Sequence, residues 1–430
     1  MRGSLKTKTT KLIEGIRENK SFVLLFFGRF YYRIAFLILT LVLSTIWEKG
    51  VFGHYATKMG TWLIIDTIIS SGMGASIPKL LVRYKSLQEV LIRQAMLVAV
   101  FISFVIICIT SAVGLLLSRT FNVGFDMLDI MVICSLLAFS TSSVLQSIYR
   151  VLGRVSRDYT ISFLLGSFIL LLALISFFVE MSPMTNVAVR VLLFVVVDIC
   201  VAYQILTLYP LKKKYGFKVH IAAARKIMKE TTAMAFNYFT VDGGLSFINI
   251  VFRLGGLYYA AADFGLVLAV AGPFMTFYRY LLFVLIPKIM HFAHKQKEVF
   301  IKKYSKILLG FVALTIFFSI ASGIMLMASG IEMTLNFANN NYDLKLLILF
   351  FFRILLVLIC ESLLVYFEVG MKNLIFTSRV CLVGFIVCST ATLLFIPLFY
   401  AYGAVFSLML ADISLIIIFG FFFVRQRARA

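Results

Sequence analysis

Apolar residues occupy this chain in long runs, and short polar gaps separate them. A helix needs about 20 mostly apolar residues to cross a bilayer. Twelve stretches meet that length: 21–46, 60–82, 94–117, 128–149, 159–180, 186–209, 233–254, 262–287, 305–329, 345–368, 374–396 and 401–424. The pattern predicts an all-α polytopic membrane protein of about twelve transmembrane helices. Composition agrees with the pattern. The chain has 430 residues, 62% of them hydrophobic and 14% charged, with mean hydropathy +1.01. Soluble domains are about half apolar and about a quarter charged.

The net charge of +22 matters through its distribution. Cations cluster in alternate gaps: Arg83, Lys85 and Arg93; Arg150, Arg154 and Arg157; Lys212-Lys213-Lys214 to Lys229; Lys288 through Lys306; Lys372 and Arg379; Arg425, Arg427 and Arg429. The intervening gaps hold only Lys49, Lys58, Arg119, Arg190, Arg253 and Lys345, among the acids Glu48, Asp126, Asp129, Glu180, Asp263, Glu332 and Asp343. This asymmetry is the positive-inside pattern. It predicts both termini in the cytoplasm, in a bacterial cytoplasmic (inner) membrane. With no soluble basic domain, nucleic acid is excluded as a partner. Residues 1–20 are polar and basic, and the run after them is too long for a signal-peptide core, so the first span reads as an uncleaved signal-anchor.

A basic stretch at 210–232 divides the spans into two sets of six. Its Ala222 to Lys229 portion predicts a short amphipathic helix on the inner leaflet. The expected organisation is a cytoplasmic segment 1–20, an N-lobe 21–209, a linker 210–232, a C-lobe 233–424 and a tail 425–430. The halves repeat a signal. Gly53-His54-Tyr55-Ala56 precedes the second span, which ends Ile77-Pro78-Lys79. Leu257-Tyr258-Tyr259-Ala260 precedes the eighth, which ends Ile286-Pro287-Lys288. Even-numbered halves share an orientation, which predicts two six-helix lobes related by a pseudo-two-fold along the membrane normal. Interfacial Tyr and Lys chemistry is the alternative source of the repeat.

Charge within the spans is the candidate chemistry. Arg29 and Arg33 lie four residues apart in the first span, on one helical face. Arg279 stands between Tyr278 and Tyr280 in the eighth, and Arg353 lies in the tenth. Intramembrane charges are costly and face a protein interior or a wet cavity. Guanidinium stays charged and binds phosphate oxygens as a bidentate fork. The arginines therefore suit either an anionic, phosphate-bearing substrate or structural pairing with the intramembrane acids Asp66, Asp198, Asp242, Glu361 and Asp412. Those acids suit ion coupling or internal pairing. Tyr32 and Tyr278 are candidates for stacking on sugars. The six cysteines lie within apolar runs and read as small buried hydrophobes, with no metal-ligand spacing. His291 and His294 read as an interfacial pair. No catalytic motif is present, so neither an enzyme nor a cofactor is expected.

Several stretches carry a family resemblance. Phe52-Gly53-His54-Tyr55 is similar to the phenylalanine-glycine-x-tyrosine entry of polysaccharide flippases. Ser142 to Arg154 resembles the end of their fourth span and its Arg-x-x-Gly-Arg loop, and Gly256-Leu257-Tyr258-Tyr259-Ala260 resembles their glycine-tyrosine-tyrosine-x-alanine motif, with Leu257 inserted. The chain thus resembles the Wzx-like O-antigen/polysaccharide flippases, in the polysaccharide transporter family of the multidrug/oligosaccharidyl-lipid/polysaccharide exporter superfamily. The resemblance implies translocation of undecaprenyl-pyrophosphate-linked oligosaccharide for O-antigen or capsule synthesis, by alternating access. Membrane lipids, a polysaccharide polymerase and chain-length proteins are the implied partners. Arg29, Arg33 and Arg279 stand in spans comparable to those lining the cationic cavity of lipid II flippases. A multidrug or metabolite antiporter of the same superfamily is the alternative, and a membrane-embedded polymerase or assembly protein is a second one. The longest outer gap, about 15 residues, is short for a polymerase.

Overall fold

The computed structural model describes residues 26–121, 124–152, 154–208, 217–273, 275, 334–337, 340–367 and 374–429. Among them the chain is nearly all helix. Helix α1 (Phe26–Ile46) leads into a broken column: α2 (Lys49–Trp62), α3 (Ile64–Asp66), a π-helical segment (Thr67–Met73) and α4 (Gly74–Arg83). There follow α5 (Gln88–Phe121), α6 (Met127–Val151), α7 (Val155–Val179), α8 (Pro183–Leu208) and α9 (Phe217–Leu254). After α10 (Tyr258–Pro273) come a hairpin of β1 (Thr334–Phe337) and β2 (Asn340–Asp343), then α11 (Leu344–Val365) and α12 (Leu374–Arg429). The strands pair antiparallel, with Thr334 opposite Asp343.

Seven of the described helices are long and apolar enough to span a bilayer: α1, α5, α6, α7, α8, α11 and α12. The last turns of α9 and all of α10 are shorter apolar helices. This is an all-α, multi-pass membrane protein. The expected ninth span, the inner part of the eighth, and His291 and His294 lie outside the described residues. Helix α12 holds the expected eleventh and twelfth spans and breaks at Tyr400, whose φ of 51° and ψ of −122° are not helical. Two boundaries differ from the sequence reading. Helix begins at Lys49, ahead of the second span, so Gly53-His54-Tyr55 is helix and not an entry loop. The linker's amphipathic helix runs without interruption into the seventh span as α9.

Two bundles result. One is centred on residues of α1–α8 such as Leu39, Phe52, Ile65, Ile133 and Tyr149, and Ile227 of α9 and Leu266 of α10 join it. The other has two clusters, around Ile248, Phe264, Phe350 and Val405 and around Tyr366, Phe367 and Phe419. Large apolar side chains cover the perimeter, among them Leu97, Phe101, Phe104, Phe178 and Leu398. Such a surface needs lipid and not water around it. Cysteine corrects one expectation. Cys360, Cys381 and Cys388 are buried, but Cys108 and Cys200 are exposed on apolar helix faces.

Candidate functional site

Buried charge gathers where the bundles meet, at the end that the charge pattern assigns to the outside. The local sequence explains how it starts. Asp126 caps α6, accepting from the backbone N–H groups of Leu128 (2.9 Å) and Asp129 (3.2 Å), and the Asp129 carboxylate accepts from Asp126 N–H (3.2 Å). This reciprocal box satisfies the donors that a helix N-terminus leaves open, and the terminus favours negative charge.

Asp129 is fully buried, so it needs further donors. Lys58 and Trp62, one turn apart on α2, supply two. Trp62 Nε1–H donates to Asp129 Oδ1 (2.8 Å), and Lys58 Nζ stands 3.0 Å from Oδ2 and 2.5 Å from an Asp126 oxygen. Arg253, in the last turn of α9, closes the set from the other bundle. It donates to both Asp129 oxygens, at 2.7 and 2.9 Å, and to the Gly124 carbonyl at 2.5 Å. Bidentate guanidinium–carboxylate pairs combine strength with fixed geometry.

The surrounding contacts hold the same junction shut. Lys49 of α2 pairs with Asp263 of α10 at 2.7 Å. His54 stacks edge-on against Tyr258, with centroids 4.9 Å apart. Gly53 lies so close to the Tyr258 backbone carbonyl that any Cβ would overlap it. Nearby, Arg190 is almost wholly buried and donates to Tyr55 Oη at 2.6 Å.

The sequence pattern marks Lys58, Asp126, Asp129, Arg190 and Arg253 only as topology signals, and it misses the cluster. A signal is present. Cations are scarce on that side, and four of the six there, Lys49, Lys58, Arg190 and Arg253, each find an acid or a tyrosine.

The residues singled out in the spans are distributed more widely. Arg33 is exposed and Arg29 half-buried. Asp158 of α7 feels the charge of Arg29 and pairs with Arg150 at 3.2 Å. Asp158 is not among the five acids expected from sequence. Tyr32 is buried and stacks on Phe139 with centroids 5.6 Å apart, and it feels the charges of Arg33, Arg190 and Asp66. Asp66 and Asp198 each accept a hydroxyl of α6, from Ser140 (2.9 Å) and Ser142 respectively. Arg353 and Asp412 are joined, Nε to Oδ2, at 3.1 Å, and Glu361 acts on the same Asp412. Tyr278, Arg279 and the side chain of Asp242 lie outside the described residues.

No protein-family model matches the chain, and no curated protein matches it in sequence. Solved structures do. The lipid II flippase MurJ in an inward closed conformation superposes with a TM-score of 0.68 at 9% identity, over 93% of this chain and 87% of that one. This chain has the fold of the MOP-superfamily transporters. The MATE multidrug transporter DinF-BH, in a ligand complex, gives 0.64 at 14% identity, over 95% of each chain. An inward-facing multidrug resistance MATE family transporter of the MOP superfamily gives 0.63 at 12%, over 93% of this chain and 95% of that chain. A MOP fold fits the two bundles and the polar contacts buried between them.

Proposed function

We propose that the protein is a flippase that moves undecaprenyl-pyrophosphate-linked oligosaccharide across the cytoplasmic membrane for surface polysaccharide synthesis, by alternating access. The observation that carries this reading is Arg33, a guanidinium exposed in the middle of an apolar helix, with Arg29 one turn away. A charge at that depth belongs in a wet cavity, and two guanidiniums on one face suit a pyrophosphate. Arg33 is the primary anchor. Arg29, already neighboured by Asp158, is the second, with Arg279 and Tyr278 contributed by the other bundle. Tyr32, packed on Phe139, backs Arg33. Arg353 stays with Asp412, as an internal tie.

The buried network at Asp129 is the closed outer gate of this cycle. The cargo enters from the cytoplasmic side, where both termini lie, and leaves when Arg253 parts from Asp129. The N-lobe (21–209) and C-lobe (233–424) are the moving halves, joined by the linker at 210–232. A polymerase and chain-length proteins take the delivered units.

Replacing Arg33 with Ala should lower surface polysaccharide about tenfold or more at normal protein abundance. Undecaprenyl-linked oligosaccharide should then accumulate inside the cell. Normal polysaccharide in the Arg29→Ala/Arg33→Ala double variant ends the assignment. A second reading, export of organic cations, is favoured by Asp66 and Asp198, two acids of the N-terminal bundle held by serine hydroxyls. It predicts that Asp198→Asn raises drug sensitivity and leaves polysaccharide untouched.

A further inference from the structure

A concavity opens beside the charged junction and shares Tyr258 and Asp263 with its surrounding contacts. It encloses about 400 Å³ and is built by three connections of the C-terminal bundle: the α9–α10 turn, the start of α11 and the break in α12. Tyr258, Tyr259, Phe399, Tyr400 and Tyr402 line it together with Asp263. Five rings and one carboxylate around one small space form an unusual lining for a surface that meets lipid.

From these residues we infer a saccharide-binding subsite that receives sugar rings of the cargo on the outer side. The inference rests on the flippase reading above and names a site that reading does not use. Pyranose rings present flat C–H faces edged by hydroxyls. Aromatic faces cover the former, while phenolic O–H groups and a carboxylate pair with the latter, each needing an apolar body with a polar tip. About 400 Å³ lies within the range of small-molecule pockets, enough for part of an oligosaccharide and not for its lipid.

The geometry separates this cluster from an ordinary interfacial belt of tyrosines. Belt rings face the headgroups from the perimeter. Here Tyr258 and Tyr259 come from the α9–α10 turn, Phe399, Tyr400 and Tyr402 come from the break in α12, and both sets border one cavity. Gly256 turns at φ 64°, which glycine adopts freely. Tyr400 sits at φ 51° although it carries a Cβ, and strain of that kind persists where the surroundings over-determine it.

One wall also touches the other bundle. The Tyr259 ring lies against Gly50 of α2, about 3.7 Å from where a Cβ would stand, and Asp263 is held by Lys49. A sugar in the cavity therefore rests on the residues that part when the outer junction opens.

The test uses the full chain in lipid nanodiscs. The probe is the water-soluble oligosaccharide released by mild acid from the host's lipid-linked pool, titrated calorimetrically. Binding is expected to the parent chain. Tyr259→Ala and Tyr400→Ala should weaken it about tenfold each, while Tyr259→Phe, which keeps the ring, stays within about threefold. Thermal melting of each variant identifies any that fails to fold; Tyr259→Leu or Tyr400→Leu, which removes the ring and keeps apolar bulk, then takes its place with the same expected loss. Absence of binding to the parent chain overturns the inference. So does equal binding by the alanine variants, or binding of glycerophosphoglycerol in place of the sugar, which marks a headgroup site. Arg33→Ala serves as the independent control. If it abolishes polysaccharide export while the pocket variants bind sugar normally, this subsite falls and the flippase reading stands. If it leaves export intact, the flippase reading falls first.

Discussion

Helix α9 meets the N-terminal bundle at two places, and the two meetings differ in kind. In its last turn Arg253 enters a cluster in which Lys58 and Asp129 have no solvent exposure. Before its middle Glu230 reaches Lys79 at 3.3 Å, with side chains 27% and 45% exposed. Around that pair the contacts are hydroxyl to hydroxyl, Ser76 with Thr231 at 3.0 Å, and Lys226 to Tyr84. Buried charges lose heavily if one partner leaves, since the others remain uncompensated. Exposed pairs lose little, because water replaces the partner. The Arg253 contact is therefore expected to break as a unit, and the Glu230 contact to yield gradually.

The contrast breaks most sharply at Asp129. Asp129→Ala leaves Arg253 with no carboxylate and Lys58 with Asp126 alone, and should cost about 3–5 kcal/mol, seen as a large fall in thermal stability of the purified protein. A melting curve matching the parent would mean that the cluster holds nothing. Gly53→Val comes next. Its side chain collides with the Tyr258 carbonyl, which is backbone and cannot rotate away. The outer junction should open, so that Asn249→Cys, in a chain whose native cysteines are Ser, is labelled faster from outside by an impermeant thiol reagent. Unchanged labelling would show that the junction closes without this contact.

A pH titration should give a smaller effect. The His54 pKa is held low, by burial first and by Lys58 next, with Asp126 and Asp129 opposing. A lowered histidine contributes stability that is complete above the ordinary value of about 6.5 and is lost as pH falls through that value toward the folded one. Acidifying the outer side from about 7.5 to about 5.5, the range in which histidine changes charge, should therefore speed the same labelling. His54→Gln should abolish the dependence. The smallest change is expected at Lys79→Ala, about 0–1 kcal/mol in thermal melting. A loss comparable to Asp129→Ala would erase the distinction between the two contacts of α9.

Much of the architecture was legible because lipid imposes a severe pattern. Runs of about 20 apolar residues and the alternation of Lys and Arg located α1, α5, α6, α7, α8 and α11 within a few residues. The gap between the expected spans 374–396 and 401–424 marked the division within α12, which breaks at Tyr400. The π segment at Thr67–Met73 escaped, since its apolar and small residues read equally well as α-helix. The hairpin at 334–343 escaped because its polar residues resemble any loop. The charged junction was hidden for a different reason. Lys58, Asp129 and Arg253 are far apart in sequence, and each taken alone is an ordinary residue at the edge of a span. Only packing makes them one object. Asp158 as the neighbour of Arg29 was hidden in the same way, behind its position at the start of α7.

The continuity of α9 has a mechanical consequence. At 38 residues, and about 1.5 Å per residue, it is a rod about 57 Å long that carries the linker's helix and the expected seventh span without a break. A small tilt about the Glu230 contact then moves Arg253, far along the rod, through a larger arc than it moves Glu230. As a stiff lever, α9 has a long arm on the Arg253 side of that contact and a short one on the other.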